Sequence, residues 1–409
     1  MSRSTVTAQA VQEAESETVL QVTDMKTHFL TARGRVRAVD GVSLSLNRGT
    51  TLGIVGESGS GKTIFSRSVM NLLPKENVRR SGSVMFMGRE LMDLNDREMR
   101  RLCGADIAMV FQDPMSSLNP VMTIGKQITE SLRLHLGMSR SESHITAVTL
   151  LRSVNIPEPD RRFSEYPHQL SGGMRQRVMI ALALACGPRL LFADEPTTAL
   201  DVTVQAEILN LLQDQQRDRF MAMVLVTHDL GVVAGRTDEI AVMYAGRIVE
   251  HAPTGVLFSK MRHPYTEALL RSIPKIENPS HTRLRVITGR PPDLLNPPPG
   301  CPFAPRCPYV GDECRTTMPP LESGGSKGHR FACYHPLGSP ENAEWLERNL
   351  AAGLPQAIAL LDSKDGQEVD LSALLAAETA NGNTEGWAGD VAATSGQDES
   401  AQHAAARDE

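Results

Sequence analysis

The stretch TLGIVGESGSGKT, residues 51–63, limits what this chain can fold into more than any other. Its first five residues read as a buried strand, and the next eight fit G-x-x-x-x-G-K-[S/T], a glycine-rich turn that opens a helix. Glycines allow successive backbone N–H groups to converge on one anion, and the helix N-terminus adds positive potential. A lysine then reaches the outer phosphates and a hydroxyl takes the metal ion. Gly56, Glu57, Ser58, Gly59, Ser60, Gly61, Lys62, Thr63 and the adjoining Ile64 are therefore the expected phosphate-binding segment. Lys62 is expected on the β- and γ-phosphates and Thr63 on Mg²⁺.

The remaining pattern suits a strand–loop–helix unit of this kind. RLLFADEP (189–196) and MAMVLVTHD (221–229) read as short apolar strands separated by a helix at about 203–219. That alternation implies an α/β fold with a mostly parallel core sheet covered on both faces. VLQVTDMKTHF (19–29) and AVDGVSLSL (38–46) have the alternating, β-branched character of an antiparallel pair. EIAVMYAGRIVEHA (239–252) reads as a hairpin turning at Ala245-Gly246. Residues 88–165 are charged and helix-like, with apolar positions at helical spacing in DREMRRL, TIGKQITESLRLHLG and ESHITAVTLLRSV. A further helix from about 172 stops at Gly187-Pro188.

A nucleotide site also needs acid at the end of another strand. Asp194 closes LLFAD and is the expected Mg²⁺-side carboxylate; Glu195 follows, placed to polarise an attacking water. His228 ends the next strand, and strand ends in such folds gather beside the ligand, so a γ-phosphate contact is expected of it.

LSGGMRQR at 170–177 then points to a family: it resembles the signature motif of ABC ATPases, and the family's other motifs follow in order. Gln112 in MVFQDP matches the Q-loop, TTALD (197–201) the D-loop, and His228 the switch histidine. The resemblance implies an antiparallel β subdomain and a helical subdomain (about 113–187) around the core sheet. It gives Glu195, His228, Lys62 and Gln112 catalytic roles, and adds Gln112 to the Mg²⁺ side. It places Phe29 on adenine, and Gln176 and Asp201 beside the nucleotide. Ser171, Gly172 and Gly173 open a helix whose N–H groups suit a phosphate. In the family two subunits meet head to tail, each ATP lying between one chain's phosphate loop and the other's signature.

Longer stretches narrow the branch. AVDGVSLSLNRGTTLGIVGESGSGKT, FQDPMSSLNP, DEPTTALDVTVQAEIL, HPYTEALLRSIP and PPPGCPFAPRC are similar to the D-type ATPase subunit of oligopeptide/dipeptide importers. Thr63 stands where serine is commoner, a neutral exchange for a hydroxyl ligand. The resemblance covers about residues 19–335. It implies a similar F-type ATPase as heterodimer partner, or a second copy of this chain. It further implies two membrane-spanning permeases, an extracytoplasmic solute-binding protein, and a peripheral place on the cytoplasmic face of the inner membrane. The alternative from another class is a soluble ABC ATPase clamping nucleic acid or ribosomes. Such proteins usually carry two nucleotide-binding units or coiled-coil insertions, and neither is seen here. An exporter would normally carry fused membrane helices.

Composition agrees with that choice. From Glu341 onward the chain has 14 acidic and 3 basic residues, a net of −11, so a total of −6 leaves the first 340 residues at +5. Lys and Arg are scattered rather than gathered on a stripe, which does not argue for nucleic acid. No uncharged apolar run approaches the roughly 18–20 residues of a membrane span, and the N-terminus lacks a secretory h-region. A cytosolic chain follows, whose cysteines bind metal or stay reduced.

Four of the six cysteines fall in one proline-rich region, as Cys301, Cys307, Cys314 and Cys333, spaced C-x5-C-x6-C-x18-C. The paired C-x2-C knuckles of a zinc ribbon are absent, so zinc, an iron–sulfur cluster and free thiols all stay open on spacing. The resemblance favours a [4Fe–4S] cluster, with Zn²⁺ as the alternative. His329 and His335 flank Cys333 and could replace one ligand, but the four cysteines are the expected set; Cys103 and Cys186 are expected to be inert. The expected divisions are a disordered 1–17, a nucleotide-binding domain 18–275, a cysteine-rich region 276–336, and an acidic 337–409. The last is expected to be largely disordered after a short helix at 341–350, and the region after about 285 too proline-rich for regular structure.

Overall fold

The computed structural model describes residues 17–198, 200–273 and 287–361. The disorder expected over 1–17 falls, but for Glu17, outside these residues; of that expected after the helix at 341–350, residues 362–409 also fall outside, whereas Pro355–Leu361 is helical. Glu17 itself accepts the Arg48 backbone N–H at 2.9 Å.

The strands are β1 (Thr18–Thr31), β2 (Gly34–Asn47), β3 (Thr51–Val55), β4 (Val78–Phe86), β5 (Arg89–Glu90), β6 (Ile107–Val110), β7 (Leu190–Asp194), β8 (Ala222–Thr227), β9 (Glu239–Tyr244), β10 (Arg247–Pro253), β11 (Glu322–Ser323) and β12 (Arg330–Phe331). They form an antiparallel sheet in the order β2-β1-β4-β5 and a mixed sheet in the order β11-β12-β10-β9-β3-β8-β7-β6. From β9 to β6 every pairing of the mixed sheet is parallel. Its strands TLGIV, LLFAD and AMVLVT are buried at every residue, which is why they read as apolar runs, and the edge strand IAMV is buried throughout as well. Carboxyl ends of parallel strands share one edge, so the phosphate loop after β3, the acids closing β7 and His228 after β8 come to one side.

The hairpin joining β9 to β10 turns where expected. Ala245 and Gly246 have φ of 48° and 81°, the paired positive values of a tight two-residue turn. A Cβ on Gly246 would stand 2.9 Å from the Arg37 carbonyl oxygen, so the close approach of β2 demands glycine there.

Besides the two-residue strands β5, β11 and β12, the strands β4 and β6 are not legible in the sequence. β6 lies inside the stretch read as helical, because four apolar residues are too few to display a period. β4 opens with charged, exposed residues, and its inward face shows only in its last positions. The helices Asp96–Leu102, Ile124–Leu136, Arg140–Ser153 and Gly172–Leu184 occupy the stretches expected to be helical. Asn95 and Ser139 start the first and third through reciprocal capping boxes with Glu98 and Glu142.

The proline-rich tail carries more regular structure than expected. β12 pairs antiparallel with β10, so the tail extends the core sheet by two short strands. A two-residue strand has no periodicity to read. The fully buried Glu250 of β10 anchors this seam. Its carboxylate accepts from the backbone N–H groups of Arg262 (2.6 Å) and His263 (3.0 Å), the Thr266 hydroxyl (2.5 Å) and His329 Nε2 (2.9 Å). His329 is thus spent on Glu250 rather than beside Cys333. Short helices form at Asp312–Thr316 and Pro355–Leu361, and one at Pro340–Ala351 covers the expected 341–350.

Candidate nucleotide site

The phosphate loop leaves β3 and turns on three glycines with positive φ: Gly56 (155°), Gly59 (81°) and Gly61 (103°). A Cβ at Gly56 would lie 2.1 Å from the Met243 carbonyl oxygen, and one at Gly61 2.2 Å from that of Ala38. These positions need glycine because β9 and β2 press against the loop. Ser58 and Gly59 are exposed at its crest, whereas Ser60 is buried and Ile64 packs against the core. Lys62 is 4% exposed and donates to the carbonyls of Gly56 (2.7 Å) and Glu57 (3.1 Å), which curls the loop around it. Burial lowers its pKa, opposed by the charges of Glu195, Asp194 and Glu57.

Thr63 donates its hydroxyl to Asp194 Oδ1 at 2.9 Å, joining the phosphate-loop helix to the end of β7. Asp194 is fully buried, its pKa raised chiefly by desolvation, and its Oδ2 has no partner. An unpaired buried carboxylate oxygen beside a hydroxyl is a pair of oxygen donors that suits a hard cation such as Mg²⁺.

Glu195 follows in the left-handed region at φ 45°, uncommon for a residue with a Cβ and frequent where function requires a strained backbone. Its N–H donates to the Val226 carbonyl at 2.9 Å, holding the turn against β8. Three side chains meet its Oε2: Gln112 Nε2 and the Thr198 hydroxyl donate at 3.1 Å each, and His228 Nδ1 lies 3.3 Å away. Of these, His228 is well exposed at 61%, with free access to a ligand. Gln112 faces Glu195 and has no bond to Thr63 or Asp194. Sequence reasoning missed Thr198; its only signal was a hydroxyl three residues beyond the acid, where a turn returns the side chain.

The remaining residues stand apart. Ser171 caps the helix Gly172–Leu184, accepting the Met174 N–H at 3.3 Å. Gly172 leaves the first turn of that helix open: the Leu200 side chain lies 3.9 Å from where a Cβ would stand. Asp201 caps the helix Val202–Arg219 through Val204 N–H at 3.0 Å. Gln176 is buried with its Nε2 unpaired. Phe29, on β1, is half-buried. Among the described residues no hydrogen bond joins 171–173 to 56–63. A cleft of about 540 Å³ lined by Asn71, Arg80 and Asp96 shares no residue with this site.

Cys301, Cys307, Cys314 and Cys333 line one small cavity of about 10 Å³ with His263 and His335. Four thiols are the donor set a soft metal takes, but this space is about that of one water. Among the described residues no group of three or more His, Cys, Asp or Glu side chains is disposed to hold a metal ion. The expected [4Fe–4S] cluster, and metal binding at these cysteines generally, is therefore not supported. Desolvation pushes the Cys301 thiol up to about 11 and raises the other three. At pH 8 Cys301 should accordingly alkylate about 100-fold more slowly in the native chain than in denaturant, because less thiolate is present. Comparable native and denatured rates, read by mass spectrometry of iodoacetamide-treated peptides, would contradict that burial. Cys103, its pKa raised to about 11 by burial, and Cys186 sit against the backbone carbonyls of Met70 and Ser131.

Comparison with known proteins agrees with this geometry. Residues 39–198 match the ABC transporter family and residues 249–314 the oligopeptide/dipeptide transporter C-terminal region. The chain is 48% identical over 337 residues to the oligopeptide transport ATP-binding protein OppD of Salmonella typhimurium, covering 82% of this chain and 99% of that one. It belongs to the ATP-binding subunits of oligopeptide/dipeptide ABC transporters. The dipeptide transport ATP-binding protein DppD of Bacillus subtilis is 50% identical, covering 78% of this chain and 95% of its own length. A solved dimeric ATP-binding cassette in a post-hydrolysis state with ADP and Pi superposes with TM-score 0.52 at 28% identity, over 57% of this chain and 98% of that one. The chain is thus an ABC-type ATPase with the fold expected of it. None of its described helices is long and apolar enough to cross a membrane.

Proposed function

We propose that this chain drives the import of peptides, binding and hydrolysing ATP at the cytoplasmic face of two permease subunits. The observation that carries the reading is the convergence of Gln112, Thr198 and His228 on Glu195, one residue beyond the acid that holds Thr63 of the phosphate loop. In this reading Glu195 orients the attacking water and takes its proton, His228 steadies the γ-phosphate, and Lys62 balances the charge on the transferring group. Thr63 and Asp194 hold Mg²⁺, which supplies charge neutralisation on the phosphates when bound. Phe29 carries adenine. The second anion contact comes from Ser171, Gly172 and Gly173 of another chain, an F-type ATPase or a second copy, with Gln176 and Asp201 lining the junction.

Docking on permeases is supported by apolar side chains exposed just after Gln112: Met115 at 57% and Val121 at 80%. Gln112 sits between that surface and Glu195, so movement at the nucleotide can be passed to the membrane subunits. The solute is an oligopeptide or dipeptide, selected by other chains. Cell fractionation tests the assignment: the chain should sediment with membranes when its permeases are co-expressed and be released when they are deleted. Retention on nucleic acid or ribosomes instead would favour the soluble clamp, which the family matches do not support.

A further inference from the structure

The phosphate loop contains an acid, Glu57, in a turn built to attract an anion. Its charge reaches Lys62, the residue that serves the phosphates. Left free, it would oppose the triphosphate and offer Lys62 a competing partner. The chain places Arg306 against it, 249 positions away. We propose that Arg306, carried by the cysteine-rich tail, is a positioning residue of the nucleotide site that neutralises Glu57 and holds the phosphate loop in its binding shape. The inference rests on the phosphate loop binding ATP.

Arg306 is built for this contact. Nη1 donates to Glu57 Oε2 at 2.5 Å and Nη2 to Oε1 at 2.9 Å, a two-pronged pair that lysine cannot reproduce. The remaining donors are also used: Nη1 to the Tyr244 hydroxyl at 3.2 Å, Nη2 to the Ile287 carbonyl at 3.1 Å, and Nε to the Thr288 carbonyl at 2.9 Å. All five N–H groups of the guanidinium are therefore satisfied, and the residue is 4% exposed. A surface pair would be screened and worth little; here the Arg306 end is buried at 3% exposure against 26% for Glu57, and the fork fixes the pair in direction.

The backbone of Glu57 is held from the same side, its N–H donating to the Tyr265 hydroxyl at 2.8 Å. Tyr265 packs on Tyr244 at 4.4 Å between ring centroids, and both lie 5.4 Å from Phe303. Phe303 and Arg306 belong to one tight turn, closed by Ala304 N–H on the Cys301 carbonyl (3.0 Å) and Cys307 N–H on that of Ala304 (3.3 Å). The turn that positions Arg306 is thus the segment between two of the cysteines. Nucleotide binding and the order of that segment are coupled, and coupling between two sites is reciprocal.

The test is equilibrium binding of a fluorescent ATP analogue with Mg²⁺ to the full chain. Arg306→Ala should raise Kd about tenfold, a typical coupling. Adding Glu57→Gln to that variant should return Kd to within about threefold of wild type, because no uncompensated charge then opposes the phosphates. Equal Kd for folded Arg306→Ala and wild type would overturn the proposal, and a rise that Glu57→Gln leaves in place would overturn the neutralising role. Should Arg306→Ala fail to fold, hydrogen exchange on the wild-type chain decides: saturating MgATP should slow the amides of 303–307 about fivefold or more, and no change would refute the coupling. A wild-type chain that does not bind the analogue would overturn the nucleotide reading and this inference with it, an outcome distinct from equal binding by both.

Discussion

Glu195→Gln is expected to lower steady-state ATP hydrolysis roughly 10²–10⁴-fold, the range a positioned general base contributes, while ATP still binds. The exchange keeps the side chain's shape and removes its basicity. Gln112 and Thr198 can still donate to its carbonyl oxygen, so the turn after β7 should hold its geometry. The substitution breaks no hydrogen bond of Lys62 or Thr63 and only lightens the negative charge near Lys62, so Kd for ATP should stay within a few-fold of wild type. Nucleotide eluted from the desalted variant should be ATP, whereas wild type should release ADP. Brisk hydrolysis by Glu195→Gln would remove Glu195 from the chemistry.

Lys62→Ala acts earlier. Lys62 is buried, closes the loop on the carbonyls of Gly56 and Glu57, and carries the cation nearest the expected phosphates. Removing one partner of a buried charge pair costs about 2–5 kcal/mol, so Kd for ATP should rise about 30-fold or more. The variant should therefore fail at binding, where Glu195→Gln fails at turnover. Isothermal titration with ATP separates them, and near wild-type affinity in Lys62→Ala would contradict the placement of the phosphates.

Much of this is legible in the sequence because the relevant physics is local. A phosphate loop is written in glycines at fixed spacing, and Gly56 and Gly61 show why: carbonyls of Met243 and Ala38 occupy the space a side chain would need. Strands buried on both faces declare themselves as apolar runs, so β3, β7 and β8 can be placed from sequence. The turn at Ala245-Gly246 is equally plain. What stays hidden depends on distant contacts. Thr198 reaches Glu195 only through the turn after β7, and Arg306 reaches Glu57 only once the tail is folded back on β10. β11 and β12 are too short for any pattern, and the seam they form with β10 is tied by Glu250, whose four donors come from Arg262, His263, Thr266 and His329. The cysteines show the opposite failure. Their spacing leaves metal and free thiols open and only the family resemblance favours a cluster; they do gather at one cavity, but with room for about one water.

The most direct test of the account is ATP-driven uptake of a labelled peptide into proteoliposomes containing this chain, its permeases and its ATPase partner, with the solute-binding protein outside. Peptide should accumulate only with ATP inside, and the same vesicles carrying Glu195→Gln should bind ATP and accumulate none. Undiminished uptake with Glu195→Gln, or ATP hydrolysis by the wild-type assembly with no peptide movement, would contradict the claim that this chain powers peptide import from the site around Glu195.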